Sequence, residues 1–477
     1  MTVSGSQFNM SGIATAVHEE ETALTTDRLW PSKSLRQVLA IAEEVPVPEV
    51  DGIDIDSRRL TEGSLFIPLA PPHAERDGHN FIDAALEQGA AAALSHLPIG
   101  QDLGRLPVDD TYIGLQHLAR AARSRVAAEA KIIALTGSSG KTTLRSWLQH
   151  LLSDVGLTHG SEGSFNNHLG VPLSLARMPS ATQFGLFEIG TNHPGEIAPL
   201  SRLVDPDVAI VLNVLPVHIG HFESFEALQA EKTSIAEGLD ASGQLVVEAS
   251  IPIRSSQPIT RFKVLADGLT SPNPEEEAWD ANDRPLYAGQ ITINEEVHRV
   301  LLPAPGSHLL ATAAACLATY AALGLDLDAA KEKLKTVPIP KGRGQRTDIR
   351  GITLVDESYN ANPDSMMFAL EALHTRAATH RHVILGEMHE LGDYAAEAHE
   401  RVLEHALRCD SVIVVGEGFR TAAMRLGVDH LTSVADLDLK SYIKRLGPGD
   451  TVMVKGSNRV FWVHQFVQQL STILEVG

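Results

Sequence analysis

Apolar positions along the chain fall into two alternating rhythms. Short runs of strand length, such as Lys131–Leu135, Phe184–Ile189, Val208–Val214, Val383–Leu385, Val412–Val415 and Thr451–Val454, are separated by segments of helical period. In the helical segments apolar residues recur every three or four positions, as Leu144, Trp147, Leu148 and Leu151 do. Strands alternating with helices predict parallel sheets covered by helices, an α/β class. The pattern predicts a small α/β unit over 28–128, with a helix over 34–41, a strand over 64–69, a helix over 81–88 and a buried strand over 90–94. A central parallel sheet is expected over 129–338. After a Pro- and Gly-rich hinge at Ile339–Gln345, a second parallel sheet of dinucleotide-fold type is expected over 339–477. Residues 1–27 are polar and without period, and read as a tail. The stretch 262–300 reads as a loop followed by a hairpin with strands at 291–293 and 299–302.

Composition narrows the class. The 477 residues, 43% hydrophobic, supply material for about three domains. A formal charge of -21 argues against nucleic acid or an anionic membrane as the main partner. There is no apolar run of spanning length and no signal-like N-terminus, so a cytoplasmic protein is expected. Cys316 and Cys409 are the only cysteines and lie far apart, which fits a reducing compartment.

The chemistry concentrates at Thr136-Gly-Ser-Ser-Gly-Lys-Thr-Thr143, where a strand passes through a glycine turn into a helix. Backbone N–H groups of Gly137, Ser138, Ser139 and Gly140 can close on phosphate oxygens. Lys141 adds a point cation, and the hydroxyl of Thr142, beside Thr143, can sit on Mg²⁺. The spacing departs from the usual G-x-x-x-x-G-K-[ST] pattern because position 135 is Leu. A nucleoside triphosphate is the expected ligand.

Further polar residues stand at the expected strand ends, where α/β sheets bind ligands. Glu188 leaves an apolar strand, which is costly for a carboxylate unless a cation or partner neutralises it. His218 follows the next strand, as a second metal ligand or an ordinary hydrogen-bonded histidine. Lys232, on a helix expected over 224–239, is by default a solvated lysine. Asn166 and Asn167 read as a hydrogen-bonded loop or as recognition of a polar substrate. His308 is either a helix cap or a nucleotide contact. Asp56-Ser57-Arg58 is first a turn and cap signal, with a polar ligand site as the other reading.

Taken together, Thr136-Gly-Ser-Ser-Gly-Lys-Thr, Ser164-Phe-Asn-Asn-His-Leu-Gly, Glu188-Ile-Gly-Thr-Asn-His-Pro-Gly-Glu-Ile, Asn213-Val-Leu-Pro-Val-His, Tyr359-Asn-Ala-Asn-Pro and Lys455-Gly-Ser strongly resemble the Mur ligases, from about residue 50 to the C-terminus. Within that family the motifs are similar to the member that adds D-alanyl-D-alanine to UDP-N-acetylmuramoyl-tripeptide in peptidoglycan synthesis. The resemblance implies an ATP-dependent amide ligase, expected to act as a monomer with about two Mg²⁺ ions and an acyl-phosphate intermediate.

By position it implies that Lys141, Glu188, His218 and Lys232 serve catalysis, with Thr142, Glu188, His218 and a carbamylated Lys232 around metal. His308, Arg343 and Asp356 would join the phosphate loop on ATP. Asp56, Ser57 and Arg58 would hold the UDP moiety, and Asn166, Asn167, Asn192 and His193 the muramoyl peptide. Tyr359, Asn360, Asn362 and Lys455 would face ATP and the incoming dipeptide. The chain departs from the family pattern at Thr312, where an Asn is common, and at Thr191, where Ala or Met is usual.

Overall fold

The computed structural model describes residues 28–70, 77–96, 104–163, 165–216, 221–265, 286–304, 306–339, 341–374, 376–389 and 391–476. The expected tail and His218 lie outside them. By its internal contacts the chain divides into two compact units, one ending at Ala121 and the other beginning at Ala122.

The first unit is a four-stranded parallel sheet, β1 (Gly52–Asp54), β2 (Ser64–Phe66), β3 (Ala92–Ser95) and β4 (Arg105–Pro107), in the order 1-2-3-4. Its helix expected over 34–41 runs Ser32–Val38 instead, because Ala40 turns left-handed at φ 52° and stops it. Asp56 caps a 3₁₀ turn, Ser57–Arg59, by accepting from the Arg58 N–H at 3.0 Å.

The second unit contains two sheets. The larger holds β5 (Lys131–Thr136), β6 (Thr158–Gly160), β7 (Phe184–Glu188), β8 (Val208–Val211), β9 (Gln244–Glu248), β10 (Ile259–Val264), β11 (Tyr287–Ile293) and β12 (Glu296–Leu302), ordered 12-11-10-9-8-5-7-6. Strand β5 lies between β7 and β8, parallel to both, and is buried along nearly its whole length. A strand covered on both faces needs apolar residues at every position, which Ile132 to Leu135 provide. The helix Lys141–Leu152 lays Leu144, Trp147, Leu148 and Leu151 into the core, on the expected face. Each such side chain contributes about 1.5–3 kcal/mol on full burial. The Ala-rich helix Ser307–Ala322 packs in the same core, and its small side chains allow burial nearly all round.

The segment from 262 onward is more regular than expected: β10 joins the sheet, and β11 and β12 form a hairpin turning at Asn294 and Glu295, both at positive φ. The loop between 266 and 285 lies outside the described residues. The helix expected over 224–239 is also divided, into α-helix Phe225–Thr233 and a 3₁₀ turn Ser234–Gly238. There the Ser201 hydroxyl donates to the Ile235 carbonyl, and Gly238 comes so near Ser201 that a Cβ would meet its Oγ at 2.3 Å.

The third sheet comprises β13 (Gln345–Ile349), β14 (Ile352–Glu357), β15 (Arg381–Gly386), β16 (Ser411–Val415), β17 (Asp429–Leu431) and β18 (Thr451–Lys455), in the order 13-14-18-15-16-17. All neighbours are parallel except β13. Apolar clusters cover both faces, as in an α/β layered sheet. Among the described residues no helix is long and apolar enough to cross a membrane.

Candidate active site

The carboxyl ends of β5 and β7 meet at the glycine turn. Their register pairs Leu135 with Glu188, so the Glu188 carboxylate emerges beside the start of the helix that follows β5. Thr142 Oγ1 donates to Glu188 Oε2 at 2.9 Å, and Asn166 Nδ2 donates to Oε1 at 2.8 Å. Glu188 is buried, yet both of these partners are neutral. An anionic oxygen held by a hydroxyl and an amide is suited to a hard cation, and Thr142 and Glu188 fit Mg²⁺ on that ground.

The glycine turn is held by a residue that was not singled out as a site residue. Asn213 Oδ1 accepts from the N–H groups of Ser138 and Ser139, at 2.9 and 3.0 Å, and its Nδ2 donates to the Ser139 carbonyl. Gly140 closes the turn at φ 81°, a conformation glycine adopts without steric cost. A Cβ there would also press on Leu212 at 3.0 Å. Lys141 Nζ donates to the Gly137 carbonyl at 2.8 Å. Burial lowers the Lys141 pKa below its ordinary value, with Glu188 opposing the shift and Arg343 adding to it.

Lys232 is buried, and that burial lowers its pKa to about 7; Lys141 adds to the shift while Glu231 and Glu196 oppose it. Its helix is anchored by Glu231, whose two oxygens accept from Gly195 N and Ile197 N at 2.7 and 2.8 Å. Glu196 in turn accepts from the N–H groups of Asn192 and His193 and from the Thr191 hydroxyl.

From the third sheet, Lys455 Nζ donates to Glu357 Oε2 at 3.2 Å and to the Asn360 carbonyl. The Arg343 guanidinium lies over the Tyr359 ring, 4.3 Å from its centroid, and Trp462 meets that ring edge-on. Asn362 caps the helix Pro363–His374 by accepting from Ser365 N.

These groups surround one cavity of about 880 Å³. Its lining brings together Ser138, Ser139, Gly140, Lys141, Thr142, Thr143, Glu188, Asn166, Asn167, Asn192, His193, His308, Arg343, Tyr359, Asn360, Asn362 and Lys455. His308 is pressed close to Gly306, and its Nδ1 has no hydrogen-bond partner among the described residues. Burial lowers its pKa below the ordinary value, with Glu357 opposing and Lys455 and Arg346 adding to the shift. Thr312 also lines the cavity, with its hydroxyl donating to the His308 carbonyl.

Other expected site residues stand elsewhere. Gly137 and Lys232 are not among the lining residues. Asp356 is turned away: it accepts from the Ser358 N–H and hydroxyl, and Glu357 lines the cavity in its place. Neighbours on a strand point to opposite faces, so two adjacent carboxylates at a strand end cannot both face the cavity. Asp356 shares the face of Ile352 and Leu354, both buried in a core cluster, and that two-residue period is the signal that separates it from Glu357. Asp56, Ser57 and Arg58 belong to the first unit. There the Arg58 guanidinium bonds back to Asp56 and holds that carboxyl down at about 2. Glu357, Asn213, Glu196, Phe262, Asn458 and Arg459 line the cavity without having been expected to.

Comparison with known proteins bears on the same residues. Residues 135–320 match the Mur ligase middle domain, and residues 342–458 match the Mur ligase, glutamate ligase domain. The chain is 33% identical over 394 residues to the UDP-N-acetylmuramoyl-tripeptide–D-alanyl-D-alanine ligase of Escherichia coli (strain K12), covering 80% of this chain and 84% of that one. It is 30% identical over 462 residues to the enzyme of the same name from Mycobacterium tuberculosis (strain ATCC 25618 / H37Rv), covering 85% and 89%. Among solved structures, MurF from Acinetobacter baumannii superposes with a TM-score of 0.80 at 26% identity, over 93% of this chain and 99% of that one.

Proposed function

The chain belongs to the Mur ligase family, and from that premise we propose that it joins D-alanyl-D-alanine to UDP-N-acetylmuramoyl-tripeptide at the expense of ATP, as an ATP-dependent ligase of peptidoglycan precursor synthesis. The observation that carries this reading is the single cavity lined by the phosphate turn, Glu188 and the Arg343–Tyr359–Lys455 group from the third sheet. Such a cavity can hold a triphosphate and two reacting chains against one another.

The tripeptide carboxylate attacks the γ-phosphorus of ATP, forming an acyl phosphate and releasing ADP. The dipeptide amine then attacks the acyl carbon; a tetrahedral intermediate collapses, phosphate leaves, and the amine gives up a proton as the amide forms. In both steps the protein's work is positioning and charge neutralisation. Gly137 and Gly140 would present N–H groups to phosphate oxygens, while Ser138 and Ser139, whose N–H groups Asn213 holds, shape the turn, and Lys141 and Thr143 lie at the helix start beside them. Arg343 and His308 serve the nucleotide, together with Glu357, which lines the cavity where Asp356 does not. Asn166, Asn167, Asn192 and His193 line the side for the muramoyl peptide, and Tyr359, Asn360, Asn362 and Lys455 the side for the dipeptide. Asp56, Ser57 and Arg58 are proposed for the UDP end.

Thr142 and Glu188 would hold Mg²⁺, which when bound offsets charge on the transferred phosphoryl group. His218 is proposed for a second ion. The buried Lys232 amine, neutral in good part near pH 7, is suited to carbamylation, which would make it an anionic ligand. We place the enzyme in the cytoplasm as a monomer, with domains 28–128, 129–338 and 339–477.

The test is coupled product formation. ADP and phosphate should appear at a sustained rate only when the tripeptide and D-alanyl-D-alanine are both supplied, with one amide product per ATP. Equal turnover with another carboxylate substrate would favour a related amide ligase, and no ATP consumption with the full set would point to a nucleotide-binding protein without chemistry.

A further inference from the structure

At the amino end of the third sheet, β15 and β18 bring together two imidazoles and a carboxylate. His380 stands just before β15 and His382 within it, so these side chains, two positions apart, share one face. Asp450 stands just before β18, and the register that pairs Arg381 with Thr451 and His382 with Val452 sets it opposite His380. Thr451 N donates to the His380 carbonyl at 2.9 Å and fixes that approach. His380 Nδ1 lies 3.0 Å from Asp450 Oδ1, and His382 Nε2 lies 3.5 Å from Oδ2. One donor atom from each of the three residues lies within 4.8 Å of the other two.

Two features of this group are costly without a cation. The Asp450 side chain is only 3% exposed, and among the described residues its ion-pair partners are these two imidazoles, with no lysine or arginine. His382 is 8% exposed, and its Nε2, the atom turned to Asp450, has no hydrogen-bond partner among the described residues. Burial also lowers the His382 pKa, and the neutral imidazole is the form that binds metal.

We propose that His380, His382 and Asp450 form a further metal site, for a divalent transition ion of the zinc class, separate from the one at Thr142 and Glu188. Zinc takes imidazole nitrogen at about 2.0–2.1 Å and carboxylate oxygen at about 2.0–2.2 Å, so two ligands of its tetrahedron stand about 3.3 Å apart. The separations of 3.0 and 3.5 Å on either side of Asp450 bracket that edge. The imidazole–imidazole edge closes by rotation of the His380 ring, which is 57% exposed and has solvent to turn in. The same exposure supplies an entry path, with water for the fourth position. Two imidazoles and one carboxylate favour zinc, cobalt or nickel over Mg²⁺, which prefers oxygen donors. Asp450 Oδ2 also accepts from Gly447 N at 2.8 Å, so the ion would tie the starts of both strands to the turn before β18. Lys455, which lines the cavity, ends that strand, so the site stands a strand's length from the chemistry.

The test uses the full-length chain freed of metal by chelation, kept in excess Mg²⁺ and titrated with Zn²⁺ against a chromophoric chelator. One equivalent should bind tightly and raise Tm. His380→Gln, a change at a half-exposed position, should match the wild-type Tm without metal, weaken binding at least about tenfold and abolish the rise in Tm. His382→Gln should weaken binding in the same way. His405→Gln, which removes a donor from the group Glu371, His374 and His405, should leave the tight equivalent in place. Tight binding that persists in His380→Gln, or that His405→Gln removes, overturns the proposal. So does a failure of Zn²⁺ to bind while Mg²⁺ is in excess.

Discussion

Glu231 and Lys232 are adjacent buried residues on one helix and are satisfied in opposite ways. The carboxylate takes two backbone N–H bonds at the start of the helix Ile197–Val204, from Gly195 and Ile197, while burial of the ammonium lowers its pKa to about 7. The first residue fixes the helix, and the second carries the cost of burial. A lysine so held is poised to become a neutral nucleophile.

A pH signature follows for unmodified protein. The folded pKa of Lys232 lies below the ordinary 10.5, so the unfolded chain binds the extra proton between about pH 7 and 10.5, and stability from this group rises with pH through that window. Below pH 7 its full destabilising effect is present. Lys232→Met should therefore raise Tm most at pH 6 and little above pH 10, while removing turnover. A short carboxylic acid restoring part of the activity of Lys232→Ala would support the carbamate, and an unchanged pH–Tm profile would refute the titration.

Lys141→Ala should lower kcat by about 10²–10³, the loss expected when a charge-stabilising donor is removed from a phosphoryl-transfer site. Among the described residues its Nζ donates only to the Gly137 carbonyl, so the fold should persist. Phosphate release together with a thermal melt checks both halves. Wild-type turnover would contradict the role given to the turn.

Glu357 and Lys455 pair across β14 and β18 with side chains 13% and 4% exposed. Removing one partner leaves the other's charge buried, so Glu357→Gln or Lys455→Met alone should cost about 3–5 kcal/mol. The double variant should recover part of that loss. Urea denaturation of the four proteins measures the coupling, and strictly additive losses would show that the pair does not act as a unit.

Gly342 stands at φ 72° beside the Arg343–Tyr359 stack, and a Cβ there would meet Trp462 at 2.7 Å and Tyr359 at 2.8 Å. Gly342→Ala should displace that stack, at a cost of about 1–2 kcal/mol for the left-handed backbone alone. The expected result is a raised KM for ATP, read from initial rates. An unaltered KM would mean that the stack does not serve the nucleotide.

What the sequence by itself determined was local: the α/β rhythm, the strand–turn–helix at Gly137–Thr142, and the buried face of Leu144, Trp147, Leu148 and Leu151. Each of these depends on neighbours a few positions apart, so periodicity and glycine placement carry it. Only the tertiary structure decided what depends on strand order and register. Placing β5 between β7 and β8 set Thr142 against Glu188, and the pairing of β14 with β18 set Glu357 against Lys455 while turning Asp356 into its own Ser358 turn. Asn213 stayed hidden for the same reason: its bonds to Ser138 and Ser139 join residues more than 70 positions apart. Hydrogen bonds and charge act over a few ångströms of space, and separation along the chain carries no record of that distance.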